Sequence, residues 1–393
     1  MDPVITAREA VRNLSSVLAQ SPPAKAETIL PHLRLIESLC TEHNSAPTAI
    51  HLEMLRNRAV PVVIKAIWRF CSLDLGVENE ADVTHCIGSS FEVLTRSLRG
   101  RQWVCQALDS GFISVFLASG RWIARLGFDS WSSICSISFT ILCQNLVFRS
   151  VLRSLGQAIG SKKIDALDNS AQVAGLTSQW TTFKTEAYRF LVYKSQFDED
   201  KKDSMEPGFA GCGNMDCPKK TDMHEFMRCS GCLNTLYCSK ECQRKAWPGH
   251  QTLCKIQKEM LGVKLQDRVS QNDLNFLSHV AWQDYLFFLD KINGQIKKEY
   301  PSTPSSSLFV DINYYSAFPA SASVRLASDF PFEMNPNLKS NVETLFRRAR
   351  QEAKPAIVLR MAFRDGYAIH EMTWVMLAPH IAAAELKAQE SRV

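Results

Sequence analysis

Eight residues able to hold metal ions stand in order between residues 212 and 254: Cys212, Cys217, Cys229, Cys232, Cys238, Cys242, His250 and Cys254. They form four pairs with internal gaps of four, two, three and three residues, short enough for both members of a pair to reach one ion. Zinc with sulfur and imidazole ligands takes four in a tetrahedron, so eight ligands imply two ions. Shells filled by protein donors at about 2.3 Å leave no position for a substrate or an activated water, which makes both sites structural. A disulfide framework is the competing chemistry, but one of the eight is a histidine. The opening MDPVITAREAVRNL, with Asp2, Arg8, Glu9, Arg12 and no apolar run, also does not read as a secretory signal. Spacing alone leaves open which pairs share an ion. His224, inside the eleven-residue gap between the first two pairs, reads as a loop histidine rather than a ligand.

With its intervening residues, CGNMDC…CSGCLNTLYCSKECQRKAWPGHQTLC resembles the MYND zinc finger in its YC-S-x-x-CQ run, in Trp247 and in its closing H-x-x-x-C. The resemblance covers residues 209–256, and the first pair departs from the commoner two-residue gap. It implies crossed pairing, with Cys212, Cys217, Cys238 and Cys242 on one zinc ion and Cys229, Cys232, His250 and Cys254 on the other. Crossing also has a physical merit, since interlocked loops restrict the unfolded chain of a small, core-poor module more than side-by-side loops do. The metal then supplies folding free energy directly. By the same resemblance the finger is a protein-interaction module that holds short proline-containing peptides, with Gln243 and Trp247 as the peptide-binding residues. An indole is a platform for a proline ring, and a glutamine can hydrogen-bond an extended backbone. The structural alternative is that Trp247 covers the second zinc site. His250 and Cys254, four apart, share one face of a helical turn, and Pro248-Gly249 is expected to break that turn from the helix carrying Cys242.

The elements around the finger differ on its two sides. Residues 1–195 read as a helical scaffold: Ile87, Phe91, Leu94 and Leu98 mark one helical stripe, and Val60 to Phe70 is apolar nearly all round. Two segments, Asn57 to Trp68 and Asp109 to Ile123, each put a small or polar turn ahead of an apolar helix, so the region is armadillo/HEAT-like or an irregular bundle. The cysteines scattered through it (Cys40, Cys71, Cys86, Cys105, Cys135 and Cys143) read as small buried hydrophobes. Residues 196–208, opening QFDEDKKDSMEP, read as a charged linker. Beyond the finger, residues 257–393 form an α+β unit. It begins with a helical stretch, Asp273 to Tyr300, followed by strands at Leu308 to Tyr315, Ser323 to Ala327, Ala356 to Phe363 and Tyr367 to Leu377. A helix, Leu338 to Ala353, separates the second and third strands, and Asp365-Gly366 turns a hairpin between the last two. The chain as a whole is mainly α with an α+β end. Its alternating layout resembles fungal-type proteins that carry MYND fingers.

Composition excludes several classes. At 393 residues, 46% hydrophobic and 22% charged, the chain is that of a multidomain globular protein. A net charge of +5 is too small to argue for nucleic acid, and the basic side made by Lys240, Arg244, Lys245, Lys255 and Lys258 reads as a solvated helix face without base-reading residues. The longest apolar stretch, Trp131 to Phe148, is interrupted by seven polar residues and fits a buried helix rather than a membrane span. A cytosolic or nuclear protein is expected. MYND fingers also occur inserted in SET-type lysine methyltransferases, the enzymatic alternative. Against it, no cofactor motif or paired-tyrosine run of that kind flanks the finger, and no phosphate loop, nucleophile elbow or HExxH is present. His370-Glu371 reads as an exposed strand edge rather than an acid/base pair. The expectation is a non-catalytic adaptor, with transcriptional regulation as one setting and a nucleic-acid-binding regulator as a further alternative.

Overall fold

The computed structural model describes residues 2–43, 46–73, 76, 78–173, 176–203, 209–214, 216–222, 226–231, 235–262, 269–315, 320–331, 339–351, 356–366 and 368–377. It divides into two units, the first made of Met1–Val192 with Phe363–His370 and the second of Tyr193–Ala362 with Glu371–Val393.

The first unit is helical: α1 (Pro3–Leu18), α2 (Ala26–Leu39), α3 (Ala49–Arg56), α4 (Ala59–Cys71), α5 (Glu80–Ser97), α6 (Arg101–Asp109), α7 (Phe112–Ala118), α8 (Gly120–Ile123), α9 (Phe128–Gln144), α10 (Arg149–Val173) and most of α11 (Thr177–Asp203). Apart from the hairpin tip at 363–370, a short strand pair joins its helices, with β1 (Glu42–His43) antiparallel to β2 (Ala46–Pro47). Helix starts follow the local chemistry. Asp2 accepts the N–H of Val4 at 2.8 Å ahead of Pro3, and Asn79 accepts that of Ala81 at 3.0 Å at the start of α5. The stripe expected on α5 is buried at Ile87, Phe91, Leu94 and Leu98, as are Val60, Val63, Ile64, Ile67 and Phe70 on α4. Both segments singled out for a turn ahead of a helix carry a left-handed residue there, Arg58 (φ 65°) before α4 and Gly111 (φ 85°) before α7. At Gly111 a Cβ would also lie 3.4 Å from Nε1 of Trp68, so the start of α7 is fitted closely against the last turn of α4.

A ladder of rings holds this unit together. Phe91 meets Phe116 at 5.6 Å, Phe116 meets Phe139 at 5.2 Å, and Phe139 meets Phe183 at 5.7 Å, joining α5, α7, α9 and α11. Of the six scattered cysteines, Cys40, Cys86, Cys135 and Cys143 are buried and Cys71 and Cys105 half-buried, and burial pushes the thiols of Cys40, Cys71, Cys86 and Cys135 up to about 12. Thiols raised in this way stay protonated and pack as small apolar groups. The hairpin tip completes the unit, with Phe363 against Phe148 at 5.8 Å and Asp365 paired with the guanidinium of Arg101.

The charged stretch expected as a linker is helical as far as Asp203, and residues 204–208 lie outside the described ones. Two features of its sequence support the helix. Lys194 pairs with Asp198 at 2.7 Å and Ser195 with Glu199 at 3.0 Å, both at i, i+4 spacing. Phe197 is also buried, edge-on to Phe276 at 5.4 Å.

In the second unit β3 (Phe209–Gly211) pairs with β4 (Lys220–Asp222) and β5 (Met227–Arg228) with β6 (Leu236–Tyr237), both antiparallel. Then follow α12 (Lys240–Gly262), α13 (Gln271–Phe287) and α14 (Leu289–Glu299). A four-stranded sheet ends the described chain, built from β7 (Leu308–Asn313), β8 (Ser321–Leu326), β9 (Ala356–Asp365) and β10 (Ala368–Leu377) in the order β10-β9-β7-β8. β8 runs antiparallel to β7, whereas β9 returns parallel to it after α15 (Lys339–Gln351). Phe309, Phe330, Val342, Phe346 and Val358 make the core between α15 and the sheet.

Glu371 is not the exposed edge residue expected from sequence. Its side chain is 5% exposed and paired with Arg360, which also donates to Asp311 at 2.6 Å. A guanidinium buried on a central strand requires carboxylates on both sides, and β10 supplies one of them. His370 stacks on the Phe363 ring at 5.6 Å. Elsewhere in the second unit, the buried carboxylate of Asp284 accepts the hydroxyls of Tyr193, at 3.0 Å, and Tyr314. Among the described residues no helix is long and apolar enough to cross a membrane.

Candidate metal centre

The described ligands sit at the ends of short ribbons or on one helix. Cys212 follows β3 and Cys217 precedes β4, Cys229 follows β5, and Cys238 follows β6. Backbone bonds close the first two knuckles: Cys217 N–H donates to the Asn214 carbonyl at 2.9 Å, and Cys229 N–H to the Thr235 carbonyl at 2.8 Å. Ser239 caps α12, its hydroxyl accepting the N–H of Cys242 at 3.1 Å, which fixes Cys242 in the first turn. His250 and Cys254 lie two and three turns further along the same helix. α12 runs unbroken through Pro248, so the break expected at Pro248-Gly249 does not occur. Proline removes one helical hydrogen bond there, and ligands on either side hold the helix to both sites.

Two glycines are required by close approach. A Cβ on Gly213 would stand 2.4 Å from Thr235 Cγ2 and 3.0 Å from the Leu236 carbonyl, and one on Gly231 would stand 2.6 Å from Cys254 Sγ.

The side chains gather into two sets. Cys212, Cys217, Cys238 and Cys242 form one, Cys229, His250 and Cys254 the other, with the donor atoms of each set within 4.8 Å of one another. Crossed pairing, implied above by resemblance, is therefore the arrangement in space. Cys232, expected as the eighth ligand, and His224 lie outside the described residues. Sulfurs on a tetrahedral zinc at about 2.3 Å stand about 3.8 Å apart. Here Cys217 and Cys238 are 3.7 Å apart, Cys238 and Cys242 3.4 Å, and Cys229 and Cys254 3.7 Å. These separations suit a shared ion and are far from a disulfide bond of about 2.05 Å. The donor sets thus fit two zinc ions, one held by four thiolates and the other by thiolates and an imidazole. When bound, such ions cross-link the fold.

The surroundings favour the metal-binding forms of Cys242 and His250 but not that of Cys238. The Asn214 amide, followed by the Ser239 hydroxyl, holds the Cys242 thiol down to about 7, while Cys238, facing Cys242, is pushed up to about 12. Burial lowers the pKa of His250, keeping its imidazole neutral as a ligand must be, and its Nδ1 lies 3.4 Å from Thr235 Oγ1. The finger's core consists of the ligands themselves with Phe226 and Tyr237, and Tyr237 stands 5.9 Å from the His250 ring. Sequence reading missed Phe226, Tyr237, Thr235 and Asn214. The tyrosine was legible in the YC run, but nothing in spacing marks an asparagine that points at a sulfur.

Trp247 lies 5.9 Å from the His250 ring and is 39% exposed, with Gln243 half-buried one turn earlier on α12. Lys240 and Arg244 are exposed, and Lys245 pairs with Glu241 at 3.1 Å. The side chains of Lys255 and Lys258 lie outside the description.

The MYND finger family matches residues 211–254. Similar over this region are the MYND-type zinc finger protein samB of Emericella nidulans, 38% identical over 55 residues, and the MYND-type zinc finger protein MUB1 of Saccharomyces cerevisiae, 42% identical over 48 residues. The matches cover 14% and 12% of this chain and 9% and 8% of those proteins. SET domain-containing protein 14 of Caenorhabditis elegans is 33% identical over 61 residues, 16% of this chain and 13% of that protein. The likeness is to the finger alone. No solved structure matches the chain. Residues 211–254 are a MYND zinc finger, a protein-interaction module with two candidate zinc sites.

Proposed function

We propose that the chain is a non-catalytic adaptor whose finger captures an extended, proline-containing peptide against Trp247 and Gln243. One observation carries this reading: Trp247 keeps 39% of its surface exposed while its ring rests against a zinc-ligand histidine. An indole held in this way is rigid before binding and loses little entropy when a proline ring stacks on it. Gln243, one turn away, has an amide to offer the peptide backbone. The ring contact with His250 also gives weight to the alternative that Trp247 covers the second zinc site, and the test must separate the two. Affinity for a proline-containing peptide and zinc stoichiometry are measured together for Trp247→Ala and Gln243→Ala. Loss of about 2 kcal/mol of binding with both ions retained supports the platform. Zinc loss assigns Trp247 to the core, and unchanged affinity in both variants moves the partner site elsewhere.

The absence of catalysis is part of the proposal, and it rests on a sequence with no SET-type cofactor motif, phosphate loop, nucleophile elbow or HExxH. Labelled S-adenosylmethionine incubated with the full chain and mixed protein substrates is expected to transfer no methyl group. Transfer would revive the SET-type alternative. The reduced cytosol or nucleus is the proposed setting, because the finger's thiolates must stay free to bind metal.

A further inference from the structure

The spacer between Cys212 and Cys217 is where this finger departs from the commoner two-residue gap, and Asn214 within it is held by hydrogen bonds. Asn214 is 8% exposed. Its Oδ1 accepts the N–H of Asp216 at 3.3 Å, and its carbonyl accepts that of Cys217 at 2.9 Å. With the amide oxygen committed to Asp216, the amide nitrogen is the end turned inward, and it stands 3.6 Å from Sγ of Cys242. The opposite flip would set an acceptor against a thiolate and leave the Asp216 N–H facing a donor.

Four thiolates around a divalent ion carry net negative charge, here in a partly buried pocket where water cannot solvate every sulfur. Each N–H aimed at such a sulfur offsets that charge, which is how outer-shell groups tune a metal site. The second set includes a neutral imidazole and carries less excess charge. We infer that Asn214 is an outer-shell positioning residue of the first zinc site: it donates an N–H···S hydrogen bond to the Cys242 thiolate and sets how tightly that site, and not the second, holds its ion.

Two variants of the full chain separate donation from turn support. Asn214→Asp keeps the shape and the acceptor for Asp216 N–H but replaces the donor, whereas Asn214→Ala removes both. Asp216→Ala, an exposed side chain on the same loop, is the control. The chain is loaded with cadmium, and its two ions are followed by cadmium-113 resonance during chelator competition, an all-sulfur shell being distinguishable from one with imidazole. Both Asn214 variants are expected to weaken the all-sulfur site about tenfold, leaving the other site and Asp216→Ala unchanged. In cobalt-loaded protein the sulfur-to-metal charge-transfer band of Asn214→Ala should move to lower energy, a shift that a purely structural role would not produce. Wild-type affinity in Asn214→Asp, or equal weakening of both sites, would overturn the assignment.

Discussion

In the helical unit, Phe91 is buried against Phe116 within a ladder of rings from four helices, whereas the finger's buried core is mostly cysteine. The first region has enough chain to remove many large apolar side chains from water, and its helix starts, stripes and inert thiols all serve that burial. The finger has Phe226, Tyr237 and little else, so its order depends on a few bonds to metal. The difference teaches where each region is fragile. A fold built on area loses stability by increments, and one built on two ions loses it when a single donor is removed.

The sharpest way to break this comparison is to remove a donor. Cys229→Ser should release the second ion and unfold the finger, since a structural zinc is worth about 10–16 kcal/mol of apparent folding free energy. The far-UV helical signal and melting transition of the first unit should persist. A single transition in which both collapse together would show that the two regions do not fold independently. The converse test comes next in size. Phe91→Ala should cost the helical unit about 3–5 kcal/mol, read from denaturant midpoints, with zinc stoichiometry still two per chain. Smaller again is the loss of about 2 kcal/mol of peptide binding expected for Trp247→Ala with both ions in place.

The smallest effect concerns pH. Burial lowers the pKa of His51 and of His370, both in the first unit, below the ordinary 6.5. Below pH 6.5 the unfolded chain therefore takes up protons that the folded unit refuses, so stability is full above 6.5 and declines as pH falls beneath it. Denaturant midpoints at pH 7.5 and 5.5 should show the decline, and His51→Gln should flatten it. A stability that rises on acidification would contradict the assignment.

Much of this was legible in the residues themselves. The eight-ligand pattern located both metal sites because metal chemistry restricts ligand type and spacing severely, and Ile87, Phe91, Leu94 and Leu98 located a buried helix face by period alone. Asp365-Gly366 marked its hairpin, Gly366 taking φ 66°. What escaped was set by tertiary partners. Phe197 in a charged run did not suggest a helix until Phe276 stood against it, and Glu371 did not read as buried until Arg360 claimed it. Pro248 suggested a break that the ligands on either side of it prevent, and Asn214 gave no periodic signal because its role depends on one sulfur 28 residues away.

The continuity of α12 has a mechanical consequence. Cys242 and the His250/Cys254 pair pin one rod at two stations, His250 lying eight residues or about 12 Å beyond Cys242, and Trp247 is mounted on the span between them. A rod pinned at both ends can neither swivel about its axis nor swing, so the bearing of the indole is fixed by both ions at once. Withdrawing either pin removes one of the two constraints on that bearing. The exposed face of Trp247 thus works like a lock with two keys, its bearing set only while both metals are in place.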